Sequence, residues 1–156
     1  MRIKEIKKVL GEAERHCLEK GVRFTAKRKQ VLEALLDSDR SLSAYELADY
    51  CRSEMGSEML PMSVYRILDF LSSAGLVHRI KTTNKFIACS HISCDHEHKA
   101  WQFLICNNCD KVEEVDLEKS IMNKITDAIH EVGFHVAGRQ FELEGVCSEC
   151  SVSIGR

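Results

Sequence analysis

Two pairs of cysteines with the same spacing are the residues of this sequence best suited to chemistry. Cys106 and Cys109 form the first Cys-x-x-Cys pair, and Cys147 and Cys150 form the second. This spacing lets both sulfurs of a tight turn, a zinc knuckle, point at one ion, and two knuckles complete a tetrahedral thiolate site. Four thiolates leave no position for water, so the predicted zinc site is structural and not catalytic. Residues 110–146 must form a folded element that brings the knuckles together.

A second group of candidate metal ligands lies before the first knuckle. Residues 89–98 contain five soft or borderline ligands in ten positions, Cys89, His91, Cys94, His96 and His98. This density favours metal binding, and the alternative is a polar linker that carries surface histidines.

Length, composition and charge limit the classes of protein that fit. With 156 residues, 44% of them hydrophobic, the chain can hold one ordinary domain or two small ones. No apolar run approaches the roughly 20 residues that span a bilayer, and the chain opens with no secretory signal. We therefore expect a cytoplasmic protein with reduced thiols rather than two disulfides. Residues 1–83 carry 15 Lys and Arg against 12 Asp and Glu, and residues 84–156 carry 7 against 12, so the halves are expected to differ in role.

The first half shows helical periodicity followed by a hairpin signal. Apolar residues recur at three- and four-residue spacing, and Thr25, Ser43 and Pro61 provide helix starts. These signals predict four helices, over residues 3–20, 26–36, 44–53 and from 61 to a stop at 75. Residues 76–81 and 85–89, joined by a polar turn, predict a hairpin. This order predicts a winged helix-turn-helix whose last helix enters the DNA major groove, and the alternative is a protein-protein module.

The second half alternates strand and helix signals. Residues 101–106 and 112–115 are predicted strands, a helix with an apolar stripe ends at Gly133, and residues 134–136 and 139–146 return as strands. The predicted fold class is α+β, with a winged helix-turn-helix domain at 1–84, a metal-binding hinge at 85–98 and a small α/β dimerisation domain with a structural zinc at 99–156. A sheet this small exposes an edge and an apolar face, which a symmetric dimer would cover.

Several charged residues lie where helix chemistry alone does not favour them. Lys27, Arg28 and Lys29 occupy the first turn of a predicted helix, where cations oppose the helix dipole. Either they form a solvated face or a phosphate backbone lies against the helix start. Tyr65 and Arg66 fall off the buried stripe of the last predicted helix and are therefore available for contacts with a partner.

The motifs of the first half, together with the paired knuckles, resemble the ferric uptake regulator family of metal-dependent bacterial repressors. The resemblance covers nearly the whole chain and rests on Pro61-Met62-Ser63-Val64-Tyr65-Arg66-Ile67-Leu68 and on Arg23-Phe24-Thr25-Ala26-Lys27-Arg28. Three further segments are most similar to the zinc uptake regulator branch of that family, Ser43-Ala44-Tyr45-Glu46-Leu47, Leu76-Val77-His78 and Phe86-Ile87-Ala88-Cys89.

The sequence departs from the family pattern at three places. The family usually has Thr-Pro-x-Arg where this chain has Thr25-Ala26-Lys27-Arg28. It usually has threonine at the position of Ser63 and often glycine at the position of Asp110. None of these differences removes a metal ligand or a predicted DNA-reading side chain.

The resemblance implies a second, regulatory zinc site that differs from the thiolate site. Its expected ligands are His78, Cys89 and Glu114, with His98 as the fourth and His96 as an alternate, because the segment before the first knuckle is one residue longer than the family spacing. A thiolate ligand favours Zn²⁺ over Fe²⁺ or Mn²⁺. In the alternative interpretations His78 contacts a DNA phosphate and Glu114 is an ordinary solvated carboxylate. A further, looser site could be formed by Cys94, His91 and His96.

The function that the resemblance implies is a zinc-responsive transcriptional repressor of zinc-uptake genes. It would bind a palindromic operator as a homodimer with two zinc ions per subunit. Tyr65 and Arg66 suit a thymine methyl and a guanine edge, and Tyr45, Arg23 and Arg28 suit the DNA backbone or minor groove. Neither a membrane nor a small-molecule substrate is expected, and no enzyme activity is expected because no hydrolytic motif such as His-Glu-x-x-His occurs. The alternatives are an iron, manganese or peroxide sensor of the same fold, or a zinc-buffering protein.

Overall fold

The computed structural model describes residues 3–93, 101–138 and 140–154 of the chain. The chain divides into two units, Met1–His96 and Glu97–Arg156. Each unit has its own secondary structure and its own buried residues. Within the described part of the chain, no helix has the length and apolar character needed to cross a membrane.

The first unit begins with four helices whose starts follow local capping chemistry. They are α1 Ile3–Glu19, α2 Ala26–Ser38, α3 Ala44–Met55 and α4 Pro61–Ser73. The Thr25 hydroxyl accepts a backbone N–H from the first turn of α2, and Ser43 and Glu46 exchange both bonds of a capping box. α2 and α3 each continue two residues beyond their predicted ends, because the chain leaves the helix only where Asp39 and Gly56 adopt left-handed backbone angles.

The core of this unit lies where these helices meet. α2, α3 and α4 pack on one another, and α1 packs on α2. Their inward apolar side chains are fully buried, as expected from the periodicity, and include Val31, Leu32, Leu47, Val64, Leu68 and Leu71. Cys17 and Cys51 belong to the same core, and burial raises the pKa of both thiols. These two cysteines are packing residues, since a buried neutral thiol is a poor ligand and a poor nucleophile.

A two-stranded hairpin, the wing, completes the first unit. β1 Val77–Ile80 pairs antiparallel with β2 Lys85–Ala88, and Asn84 takes a φ of 53° in the turn between them. Phe86 of β2 also forms a bridge with Leu42, just before α3, through two N–H to O bonds of 2.8 and 3.0 Å. The wing is therefore hydrogen-bonded to the segment that starts α3. The predicted order of helices followed by a hairpin, the winged helix-turn-helix, is confirmed.

The predicted hinge overlaps the wing. The sequence predicts a metal-binding hinge at residues 85–98, whereas residues 85–88 form β2. They do so because they complete the ladder with β1 and because Phe86 is buried against the core of the unit. Residues 94–98 of the predicted hinge lie outside the described residues.

The second unit is a three-stranded sheet with two helices. Its elements are β3 Trp101–Cys106, β4 Val112–Val115, α5 Lys119–Glu131, β5 Gln140–Gly145 and α6 Ser148–Ile154. The strand order is β4-β3-β5, in which β3 pairs antiparallel with β4 and parallel with β5. Phe103 and Ile105 of the central strand are buried. A parallel pair needs a crossover connection, and α5 lies in that connection. The predicted α+β class is confirmed.

The prediction of a strand at residues 134–136 is wrong. Residues 134–138 form no strand, because the chain turns at Gly133, just after α5, with a φ of 80°, and Phe134 remains 69% exposed instead of joining the sheet. The last strand begins at Gln140, and position 139, its predicted start, lies outside the described residues. The helix α6 was not predicted, because its seven residues are too few to show a helical period.

An apolar surface remains exposed on the second unit. No residue of α5 is fully buried, and Ile121, which belongs to the predicted apolar stripe of this helix, is 43% exposed. Leu143 of β5 and Val146 after it are also exposed. The described residues of one chain therefore leave the predicted apolar stripe of α5 only partly covered.

Candidate metal centre and nucleic-acid interface

The first knuckle is a tight turn at the end of β3. The N–H of Asp110 donates to the carbonyl of Cys106 at 3.1 Å, and the N–H of Cys106 donates to the carbonyl of Lys111 at 2.9 Å. Asp110 has a φ of 60°, the left-handed region in which glycine is favoured and aspartate is tolerated. This backbone angle accounts for the glycine that the family often has at this position, and aspartate can adopt it as well.

The second knuckle is brought to the first by the parallel pairing of β3 with β5. Cys106 lies opposite Gly145, and the N–H of Asn107 donates to the carbonyl of Gly145 at 2.9 Å. Cys147 follows two residues later, and its N–H donates to the sulfur of Cys106 at 3.3 Å. Cys150 lies in the first turn of α6. Backbone hydrogen bonds therefore bring the second pair of cysteines to the first.

The four predicted thiolate ligands lie in one cluster. The sulfurs of Cys106, Cys109, Cys147 and Cys150 are all within 4.8 Å of one another, and those of Cys109 and Cys147 are 3.8 Å apart. A tetrahedral zinc with Zn–S distances of about 2.3 Å separates its sulfurs by roughly 3.8 Å, whereas a disulfide needs about 2.05 Å. The cluster therefore fits a tetrahedral metal ion and does not fit two disulfides.

The thiols of this cluster differ in how easily they ionise. The backbone N–H of Cys147, followed by that of Asn108, stabilises the Cys106 thiolate and lowers its pKa to about 6. The N–H of Lys111 acts in the same direction on Cys109, but the neighbouring sulfur of Cys106 and burial outweigh it and raise the pKa of Cys109 to about 12. Thiolates this close repel one another, so a divalent cation is needed to keep all four ionised.

Two of the predicted regulatory ligands lie together in the wing. His78 of β1 is 8% exposed, and Cys89, directly after β2, is 3% exposed. A ring nitrogen of His78 and the sulfur of Cys89 are within 4.8 Å of each other. The N–H of Cys89 donates to the carbonyl of Leu76 at 2.9 Å, which extends the hairpin ladder and fixes the thiol beside β1. An adjacent imidazole and thiol form a donor set that zinc accepts.

The other predicted metal ligands are placed only in part. Glu114 is a half-buried residue of β4 in the second unit, opposite Phe103 in the register. His91 is half-buried in the turn after β2, and its ring nitrogen lies 3.4 Å from the Ser90 hydroxyl. Three predicted ligands lie outside the described residues, Cys94, His96 and His98.

The predicted base-reading residues lie on α4 and beside it. Arg66 is exposed, and Tyr65 is half-buried against the core. Tyr45, in the first turn of α3, is 63% exposed, and its ring meets that of Tyr65 edge to face with the centroids 6.4 Å apart. The two helices therefore present aromatic and cationic side chains on neighbouring positions, which suits contacts with base edges and phosphates.

The other two predicted DNA contacts lie around the start of α2. Arg23 is exposed, whereas Arg28 is half-buried with its guanidinium carbon 3.5 Å from the centroid of the Phe70 ring. A guanidinium nitrogen of Arg28 also donates to the backbone carbonyl of Arg23. These contacts could not be predicted from the sequence, because Phe70 lies on another helix.

One contact that matters for the wing was also missed from the sequence. Lys85 Nζ lies 3.4 Å from one carboxylate oxygen of Glu46, and the other oxygen accepts the N–H of Ser43 at 2.7 Å. The pattern Ser43-x-x-Glu46 is a capping box and is the signal that could have identified Glu46. Together with the bridge between Leu42 and β2, this ion pair joins the wing to the start of α3.

The chain is similar to proteins of one family along most of its length. The model of the ferric uptake regulator family matches residues 19–144. The zinc uptake regulation protein of Escherichia coli (strain K12) is 34% identical over 144 residues, which cover 91% of this chain and 81% of that protein. The peroxide operon regulator of Bacillus subtilis (strain 168) is 32% identical over 146 residues, which cover 91% and 93%. The solved structure of a zinc uptake regulator complexed with zinc and DNA matches with a TM-score of 0.80 at 29% identity, over 97% of this chain and 98% of that one.

Proposed function

The chain belongs to the ferric uptake regulator family, and we propose that it is a zinc-responsive, DNA-binding transcriptional repressor of zinc-uptake genes. It binds a palindromic operator in double-stranded DNA as a zinc-loaded homodimer. The observation that carries the choice of metal is the buried thiol of Cys89 beside the buried imidazole of His78, because a thiolate ligand favours zinc over iron(II) or manganese(II). A repressor works where the DNA is, so the proposed location is the cytoplasm.

The structural zinc is held by the cysteine cluster in this proposal. Cys106, Cys109, Cys147 and Cys150 are its four ligands, and their sulfur separations support a tetrahedral ion. The bound ion supplies the positive charge that keeps four neighbouring thiolates together. We propose no catalytic role for this site, since four thiolates leave no position for a reacting water.

The regulatory zinc is held by ligands from both units, which makes two zinc ions per subunit. His78, Cys89, Glu114 and His98 are the proposed ligands, with His96 as the alternate fourth. When these side chains share one ion, the equilibrium between the DNA-binding arrangement of the dimer and its other arrangements shifts toward the first. The proposed third and weaker site uses the remaining ligands after the wing, His91, Cys94 and His96.

The homodimer is supported by the exposed apolar surface of the second unit. Ile121, Leu143 and Val146 belong to that surface, and a second copy would cover it through a symmetric interface. A symmetric dimer carries two copies of α4, which can enter major grooves one helical turn apart, and this geometry matches a palindromic operator.

In the complex with DNA, Tyr65 and Arg66 contact base edges in the major groove, and Tyr45 and Arg23 contact the backbone or the minor groove. The exposure of Arg66, Tyr45 and Arg23 supports these roles. Arg28 is a separate case, because its guanidinium is engaged within the protein.

Operator binding at buffered free zinc tests the function. The operator is first obtained by selecting duplexes from a random pool with the zinc-loaded protein, and we expect the selected duplex to be palindromic. Its affinity for the protein should rise with zinc by roughly 5- to 150-fold, the usual range of coupling between two ligands. Manganese and iron(II), offered as competitors at equal free concentration, should not replace zinc. A protein that responds to iron or manganese and not to zinc would overturn the proposal.

Arg66→Ala is expected to lower the affinity for the selected operator by about 1–3 kcal/mol, because an exposed guanidinium on α4 can donate two hydrogen bonds to one guanine edge. The loss should be concentrated at one base position in each half-site. Binding curves for the selected operator and its single-base variants measure this effect. An equal loss on every duplex would make Arg66 a phosphate contact instead.

A peroxide sensor of the same fold is the second candidate, and the 32% sequence identity to the peroxide operon regulator favours it. Such a sensor loses DNA binding after peroxide treatment only when it carries iron, because the peroxide is reduced at the iron and a histidine that holds the iron is oxidised. A zinc-responsive repressor should keep its zinc-dependent binding after the same treatment with iron present. A zinc-buffering protein, in contrast, would bind zinc but would select no duplex.

A further inference from the structure

Arg28 makes contacts unlike those of its neighbours in the first turn of α2. Lys27 and Lys29 are exposed, whereas Arg28 is half-buried with its guanidinium carbon 3.5 Å above the Phe70 ring. A cation within about 6 Å of an aromatic face is attracted by the ring quadrupole, and arginine can also stack its plane on the ring. Arg28 therefore turns toward α4 while the two lysines face solvent.

The same guanidinium holds the segment that precedes α2. It donates to the backbone carbonyl of Arg23, while the backbone N–H of Arg28 donates to the Thr25 hydroxyl at 3.4 Å. A planar guanidinium can place its face on a ring and its edge on a carbonyl at the same time, which a lysine ammonium cannot do. These contacts also offset the unfavourable position of a cation at a helix start.

Phe70, which Arg28 contacts, lies on α4, the helix that also carries the proposed base-contacting residue Arg66. Phe70 follows Arg66 by four positions on α4, so the two side chains lie one turn apart on the same face. Phe70 is itself half-buried and packed against the core of the first unit. The contacts of Arg28 therefore run from the backbone of Arg23 to the face of α4 that carries Arg66.

We propose that Arg28 is a positioning residue that holds Arg23 against the recognition helix through Phe70, and that it is not itself a phosphate contact. The proposal rests on the DNA-binding function proposed above. It predicts that the shape of the arginine matters at this position, and not only its charge. A phosphate contact would show the opposite behaviour, because lysine also binds phosphate well.

Arg28→Lys separates the two roles, because it keeps the charge and removes the planar fork. With saturating zinc, we expect Arg28→Lys and Arg28→Ala to lose about tenfold in affinity for the selected operator. The two variants should share one slope of log affinity against log salt, since the charge at position 28 meets no phosphate in this proposal. Lys27→Ala is the matched control for removal of an exposed cation from the same turn. Wild-type affinity in Arg28→Lys, together with a slope smaller by about 0.9 in Arg28→Ala than in Arg28→Lys, would make Arg28 a phosphate contact and overturn the proposal.

Phe70→Leu provides a second arm that leaves the charge of Arg28 in place. We expect it to reproduce the loss seen in Arg28→Lys, and the double variant to bind within about twofold of either single variant, because both changes break one contact. Thermal denaturation of each variant sets the temperature at which binding is compared between folded proteins. Losses that multiply in the double variant would overturn the proposal. If the wild-type protein shows no zinc-dependent DNA binding, the proposed function is refuted. If the wild type binds and Arg28→Lys has the same affinity, only the role of Arg28 is refuted.

Discussion

Cys106→Ser is expected to remove the structural zinc and to unfold the second unit or dissociate the dimer. Cys106 ends the central strand of that unit, and its sulfur accepts the N–H of Cys147, so it joins both knuckles. In small zinc-dependent domains the binding free energy, about 10–16 kcal/mol, is part of the folding free energy. Loss of one ligand should therefore lower the free energy of unfolding by more than an ordinary substitution does, which is about 0.5–3 kcal/mol. Cys147→Ser should have the same effect.

Zinc content per chain and thermal denaturation measure this effect. Wild-type protein dialysed against a chelator that empties only the weaker sites should keep one zinc ion, and Cys106→Ser should keep none and melt at a lower temperature. Cys51→Ser is the matched control, since it changes a fully buried thiol in the first unit and should leave the cluster filled. A Cys106→Ser protein that is zinc-free, dimeric and as heat-stable as the wild type would contradict the structural role.

Cys89→Ser is expected to abolish the response of DNA binding to zinc while the protein still folds and dimerises. Serine is a poor, neutral zinc ligand. Cys89 is not a member of the cysteine cluster, which should therefore keep its zinc. A ligand shifts a conformational equilibrium only through its different affinities for the two states, and in the proposed mechanism that difference resides at this site. The zinc-independent affinity that comes from phosphate contacts should persist and should weaken with salt as in the wild type.

Titration of zinc into the wild type and Cys89→Ser, with binding to the selected operator as the readout, decides this prediction. If Cys89 were only a packed residue after β2, serine would lower stability modestly and leave the zinc response intact. Cys51→Ser is the control for this outcome, because it makes the same change at a buried position outside the wing and should lower stability without changing the zinc response. A midpoint and amplitude in Cys89→Ser equal to those of the wild type would refute the regulatory site.

The parts of the fold that could be predicted are those that depend on a few neighbouring residues. Thr25 and Ser43 accept backbone N–H groups at the helix starts, and Pro61 stands in the first turn of α4, so each start was readable in the sequence. Helix ends were less clear, because Asp39 adopts a left-handed backbone without being glycine. Residues 134–136 have strand-like composition, but a strand also needs a partner and a packing surface, which the sequence alone does not reveal.

The same distinction explains which parts of the candidate sites could be predicted. The Cys-x-x-Cys spacing is a local property of a zinc knuckle, so the cysteine cluster was readable without the fold. The contact of Arg28 with Phe70 depends on how α2 packs on α4, and no periodic pattern records it. The choice between His96 and His98 depends on the path of the segment before β3, and it remains a prediction.

The parallel pairing of β3 with β5 has a consequence for the order in which the metal centre can assemble. The first knuckle needs only a turn of a few residues, which can close on the submicrosecond scale of short loops. The second knuckle must wait until β4 and α5 have folded back, since Cys109 and Cys147 are 38 positions apart in the chain. Such non-local pairing is slow to form because the loop-closure entropy is lost before the contacts stabilise the chain. A newly synthesised chain should therefore first hold zinc through two cysteines, weakly and exchangeably, and become a tight binder only when β5 docks.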